Sequence, residues 1–127
     1  MAWHKSKPLG SERYGKDDYI EIKVMAKDYT TAYSKNIAPE GTKWINKHHK
    51  VWIDHNGDCI PKRHRIIFLD GNKYNFDINN LMLVSLTNHM IMNLYFKYTD
   101  NAELNKVKIT LSELKHQIRR KKLEKDT

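Results

Sequence analysis

A chain of 127 residues with 23 Lys and Arg against 15 Asp and Glu carries a formal net charge of +8, and 30% of its residues are charged. No run approaches the roughly 18 apolar residues of a membrane span, and Trp3, His4, Lys5 and Lys7 crowd the place where an apolar leader would sit. The single Cys59 excludes an internal disulfide framework and any multi-cysteine zinc site, so the expectation is a basic protein working inside the cell, away from membranes, whose charge favours nucleic acid or another polyanion.

The length suits one domain over residues 1–127. Residues 1–12, with Pro8, Gly10 and Ser11, lack periodicity and read as a flexible arm. Ile20, Ile22 and Val24 then alternate with polar neighbours behind the turn-like Gly15-Lys16-Asp17-Asp18, which predicts a β-hairpin over 11–24. Residues 27–41 are polar, end in Pro39-Glu40-Gly41 and read as a loop. From Lys43 to Trp52 the apolar Trp44, Ile45, Val51 and Trp52 suit a short helix and an extended stretch equally. Asn56-Gly57 is the strongest turn signal of the chain.

Ile66-Ile67-Phe68-Leu69 and Leu81-Met82-Leu83-Val84 are two short apolar runs, joined by the polar loop 70–80, and predict a local strand pair. A helical pattern starts at Ser85, with Met90, Asn93, Leu94 and Lys97 on one face and Ser85 or Thr87 as its cap. Further on, Leu104, Val107, Leu111, Leu114 and Ile118 are spaced 3, 4, 3 and 4, an apolar helical stripe. Thr110-Leu111-Ser112-Glu113 has capping-box spacing and marks a place where that helix can restart. Residues 115–125 carry a net +5.

An ordered set of short phrases runs through the middle of the chain. It reads His48-His49-Lys50-Val51-Trp52, Asn56-Gly57, Ile60-Pro61, Ile66 to Asn72, Asn75 and Asn80-Leu81. In this set the chain resembles the HNH (ββα-metal) homing-endonuclease-like proteins of bacteriophages. Gly10 to Arg13, Lys16 to Lys23, and Glu103-Leu104 with the basic helix after it are similar to that group as well. The resemblance implies an α+β fold: an N-terminal β-hairpin, a central ββα unit over 43–97 and a basic C-terminal helix over 101–125. It implies hydrolysis of DNA phosphodiesters with a divalent magnesium or manganese ion, in the cytoplasm of a bacterial host.

In the general scheme of that family, one strand ends in a metal ligand followed by a general-base histidine. An asparagine after the loop orients the base, and a helix residue nine positions later completes the metal site. Asn80 and His89 are nine apart and match the last two places, whereas the first two fall on Ile67 and Phe68. Neither of these can bind a metal or accept a proton. Three substitutes offer themselves: His48, His64 about 13 Å along the strand from Phe68, and Asp70 as a hard oxygen ligand. The preferred set is His48 as base, Asn80 orienting it, and Asp70 with His89 on the metal.

Each of these has a plainer reading. His48 and His49 can be a surface pair or core histidines, His89 an ordinary helix-surface residue, and Asp70-Gly71-Asn72 first of all a turn that Asn75, Asn79 and Asn80 pin. Lys62, Arg63 and Arg65 form a cationic patch suited to the DNA backbone. Arg119 and Arg120 sit in the basic helix, which can contact phosphate or simply face solvent. The competing function is a scaffold without catalysis, kept to bind DNA or a nucleic-acid-handling protein such as a host defence nuclease. Ile67, Phe68, Ile53 (where the subgroup usually has Glu) and Met90-Ile91-Met92 favour it, although Met90 to Met92 can equally pack under the C-terminal helix.

Overall fold

The computed structural model describes residues 7–29 and 37–125, so the first six residues of the expected arm and 30–36 of the expected loop lie outside the described residues. The chain divides into two compact units, one reaching Lys62 and including Phe76–Ile78, the other made of Arg63–Asn75 and the chain from Asn79 onward.

The first unit is a three-stranded antiparallel sheet with one helix. Strand β1 (Glu12–Tyr14) pairs with β2 (Ile20–Met25), placing Tyr14 opposite Ile20. Between them Asp17 and Asp18 take left-handed φ values of 58° and 62°, which carboxamide and carboxylate residues tolerate better than most. The expected hairpin is present. Strand β3 (Thr42–Asn46) adds to the free edge of β2 with Ile22 opposite Ile45. The ambiguous stretch after Lys43 is thus both things in turn, a strand to Asn46 and then helix α1 (Lys47–Asn56). Ile22, Val24 and Ile45 bury one face of the sheet with Tyr29 against them. Asn56-Gly57 stops α1 instead of making a hairpin: Gly57 has φ 78°, and its N–H returns to the Ile53 carbonyl at 2.8 Å.

The second unit begins with an antiparallel ribbon of β4 (His64–Phe68) and β5 (Leu81–Ser85), with Phe68 opposite Leu81 and His64 opposite Ser85. Helix α2 (Leu86–Ile91) follows β5 without a linker, so β4, β5 and α2 are the expected ββα element. A π-helical turn (Met92–Phe96) and the long helix α3 (Ala102–Lys125) complete the unit. Strand alternation puts Arg65, Ile67, Met82 and Val84 on one ribbon face. The apolar members of that face pack on a core of Leu69, Val84, Met92 and Ile109.

The two helical faces expected from periodicity are not the buried ones. Met90 and Leu94 are exposed, and the α2 region turns Asn88 and Met92 inward. Met92, fully buried, is the part of Met90 to Met92 that packs under α3. In α3, Leu104, Val107, Leu111, Leu114 and Ile118 are all exposed, whereas Asn105, Ile109 and Ser112 are buried. Hydrogen bonding explains the choice. Asn105 answers the Leu69 carbonyl at the end of β4, and Ser112 answers the Asn88 side chain, partners that leucine cannot serve. Nor does α3 restart at Thr110, whose hydroxyl donates to the Lys106 carbonyl inside a continuous helix. Its start is held by Asn101, whose side chain accepts from Leu104 N–H at 3.0 Å.

The expected cap of α2 is Ser85, whose Oγ accepts from Asn88 N–H at 3.0 Å. Ser85→Ala should cost about 1 kcal/mol of stability, read as a lower urea midpoint, and an unchanged midpoint would remove the cap from the account. No helix among the described residues is long and apolar enough to cross a membrane.

Candidate functional site

The loop between β4 and β5 is a closed hydrogen-bonded frame. Gly71 supplies the φ of 76° that the turn requires, and Asp70 and Asn72 accept from N–H groups two residues on. Asn80, buried at the loop's far end, uses its whole amide within this frame. Its Oδ1 accepts from Asp70 N–H, and its Nδ2 donates to the Asp70 carboxylate at 2.9 Å and to the Asn75 carbonyl at 3.1 Å. Asn75 Nδ2 donates to the second Asp70 oxygen at 2.8 Å. The structure therefore brings Asp70 and Asn80 into direct contact.

The bond from Asn75, with those from Asn72 N–H and Asn80, holds the Asp70 carboxyl below its ordinary value of 3.8, against the opposing effect of burial. A depressed folded-state value means stability that is present above 3.8 and lost as pH falls through the folded value. Urea midpoints of the wild type should therefore decline in acid below that pH. Asp70→Asn, which cannot titrate there, should show a shallower decline, and parallel curves would contradict the frame.

His89 occupies the second turn of α2, half-buried. Its Nδ1 lies 2.7 Å from the Tyr98 hydroxyl, with ring centroids 5.4 Å apart. Tyr98 returns to His89 because the π-helical turn ends at Lys97, whose φ of 60° reverses the chain. Burial first, and the nearby positive charge of Arg65 second, push the His89 imidazolium below its ordinary 6.5. The ring is therefore neutral at pH 7, able to accept a proton or donate a lone pair. Burial raises the Tyr98 phenol, keeping it protonated beside the ring. Arg65, exposed on β4, supplies a guanidinium suited to phosphate. Sequence reasoning named His89 and Arg65 but missed Tyr98, because nothing in the intervening residues announces the reversal at Lys97.

The remaining residues of the expected site are distributed as follows. His48 belongs to the first unit, buried on α1 at 4% exposure, with the Tyr19 ring 5.5 Å away and the His49 ring 4.4 Å away. Ile53, on the same helix, is buried as well, so the position packs an apolar chain inward. Lys62, the last residue of the first unit, and Arg63, at the start of the second, are exposed. Arg63 has φ 59°, and its carbonyl accepts from Leu86 N–H, tying the entry of β4 to the start of α2. His64 shares a ribbon face with Phe68, as alternation predicts. Arg119 and Arg120 are exposed on α3.

The donor chemistry of this unit does not fit a divalent ion held in the expected way. Ile67, at the place of the first ligand, packs against the Leu69, Val84, Met92 and Ile109 core and brings only carbon there. Both Asp70 oxygens are engaged by amides. Among the described residues no three His, Cys, Asp or Glu side chains converge to hold a metal.

Residues 46–91 match a family model described as HNH endonuclease, and the match contains the ribbon, its loop and α2. No curated protein and no solved structure matches the chain.

Proposed function

We propose that this chain, of the HNH endonuclease family through residues 46–91, is a DNA endonuclease whose working face is His89 with Arg65 at the mouth of the ββα unit. The observation that carries this reading is the half-buried His89 imidazole, its Nδ1 2.7 Å from the Tyr98 hydroxyl, where burial and the Arg65 guanidinium disfavour the imidazolium. Arg65 binds a backbone phosphate and stabilises the charge that grows on it during attack. His89 takes the proton from the attacking water as its oxygen bonds to phosphorus, the phosphorus–oxygen bond to one sugar breaks, and the departing sugar oxygen takes a proton from solvent. Asn80 and Asp70 keep the 70–80 loop closed at the Phe68–Leu81 end of the ribbon. His48 serves the packing of α1 in this reading, and no step passes through it. Lys62, Arg63, Arg119 and Arg120 add sequence-independent phosphate contacts, so binding weakens as salt rises.

The test is nicking of supercoiled plasmid by wild type and His89→Ala, each with magnesium or manganese and with EDTA. Nicking by wild type that is lost in His89→Ala supports the assignment. Nicking that EDTA abolishes would return a metal to the site and make His89 its ligand.

A second reading is favoured by Ile67 and Phe68, which put carbon where the family scheme has its ligand and base. On that reading the chain binds DNA, or a nucleic-acid-handling protein, and acts by occupancy. It predicts an intact plasmid under every condition, with salt-sensitive DNA binding that His89→Ala leaves unchanged.

A further inference from the structure

The π-helical turn and α3 enclose a small cavity within the second unit. About 170 Å³ in volume, it is lined by Ile91 at the end of α2, Tyr95 in the turn, and Ser112, Lys115, His116 and Arg119 on α3. The fully buried Ser112 is already satisfied, its hydroxyl donating to Asn88 Oδ1 at 2.9 Å. What the cavity offers a ligand is therefore the carbon of Ile91, a phenol ring and cations, with no carboxylate among the lining residues.

Tyr95 is a held ring. Its neighbour Phe96 packs on the core, and Lys108 Nζ donates to the Phe96 and Lys97 carbonyls at 3.1 Å, tying the end of the turn to α3. Tyr95 itself stays 70% exposed, with Lys115 Nζ 5.4 Å from its ring centroid. So exposed a ring adds little hydrophobic stabilisation to the fold. Positive charge continues beside it. Lys108, Lys115, Arg119 and Lys122 follow at intervals of 7, 4 and 3 along one side of α3, and Ser112 fills the remaining place of that row, so no acid interrupts it.

We propose that this cavity binds single-stranded DNA, seating one unpaired base on the Tyr95 ring with phosphates on Lys115 and Arg119. Cations alone would take any polyanion, duplex DNA included. The aromatic face narrows the choice: a base covers it only after leaving the duplex stack, where its own faces are buried against its neighbours. An apolar wall, a held ring and adjacent cations are the parts that single-strand binding uses. The inference rests on the reading of this chain as a DNA-binding protein and adds the state of the strand; it does not rest on cleavage.

The test is fluorescence anisotropy of a labelled strand of about 12 nucleotides, and of its duplex, titrated with the full chain in EDTA. Tyr95→Ala should weaken binding of the strand by roughly 5- to 100-fold and leave the duplex unchanged, while Tyr95→Phe binds both as the wild type does. A strand of the same length whose sugars carry no bases should bind the wild type and Tyr95→Ala equally. Replacing both cations, Lys115→Gln with Arg119→Gln, should lower the slope of log affinity against log salt by about 1.4 for the strand. Because Tyr95 is exposed, Tyr95→Ala should keep the wild-type circular dichroism and thermal midpoint. The proposal is overturned by a strand that does not bind, by a Tyr95→Ala loss that is absent or equal on the duplex, or by a baseless strand that still senses Tyr95→Ala. Duplex binding alongside any of these leaves the DNA reading standing, whereas absence of all DNA binding removes both. Nicking enters none of the readouts.

Discussion

Asn105→Leu is expected to lower the free energy of unfolding by about 3–5 kcal/mol, a large part of the roughly 5–15 kcal/mol that holds a domain of this size. Asn105 is 1% exposed, and every hydrogen-bonding group of its side chain is engaged. Its Nδ2 donates to the Leu69 carbonyl at 2.6 Å and the Thr99 carbonyl at 2.7 Å, while its Oδ1 accepts from Thr99 N–H at 2.8 Å and Thr99 Oγ1 at 3.0 Å. One amide thus fastens the end of β4, the turn before α3 and α3 itself. Leucine has the same branched four-atom side-chain skeleton but more bulk, so the substitution removes polarity, opens no cavity and adds some overpacking to the cost. The Leu69 carbonyl would then be buried and the Thr99 carbonyl part-buried without their donor, which costs more than the bonds themselves contributed. Urea unfolding of the purified chain reads the change, and a loss below about 1 kcal/mol would show that water reaches these groups.

His89→Ala is expected to reduce plasmid nicking by about 100-fold or more, the usual contribution of a positioned general base. The pH dependence separates this role from a structural one. Burial and Arg65 hold the imidazolium below 6.5, so the working neutral form persists into mild acid, and the acid limb of the nicking profile should lie below that value. Removing the positive charge with Arg65→Ala makes the protonated ring less costly. The acid limb should then move upward in pH while the rate falls. The same shift has a stability consequence. Below 6.5 the unfolded chain takes up a proton that the folded chain refuses, so folding weakens as pH falls from 6.5 toward the folded value. An acid limb that stays put in Arg65→Ala, or a His89→Ala variant that nicks at the wild-type rate, would take His89 out of the chemistry.

Elements with strictly local causes were legible in the chain. The alternation of Ile20, Ile22 and Val24 became β2, the two apolar runs became the ribbon, and Ser85 capped α2 as a serine before a helix does. Gly71 and the Asx pair around it made the turn their residue types require. The joining of β3 to β2 was not legible, because Trp44 and Ile45 pair with Lys23 and Ile22, 21 and 23 positions earlier in the chain. No local pattern encodes such a partner.

The site divides in the same way. Position counting reached His89, because its distance from Asn80 is a property of the chain. It could not reach Tyr98, which arrives through a π-helical turn and one positive-φ lysine. The plainer reading, that Asn75 and Asn80 pin the Asp70 turn, is the one their hydrogen bonds follow, although position counting did not tell that Asn80 would spend its entire amide there.

What the sequence by itself determined is the N-terminal hairpin, the β4–β5 ribbon, the Gly71 turn, the Ser85 cap, the ββα order and the net positive charge, all of which follow from nearest neighbours and composition. The tertiary structure decided which face of each helix is buried. In α3 the apolar stripe lost to Asn105, Ile109 and Ser112 because the end of β4 and the start of α2 present a carbonyl and a carboxamide that must be hydrogen-bonded once water is excluded. Hydrophobic periodicity reports how much apolar surface a helix carries, but the polar groups waiting across the interface decide how it turns.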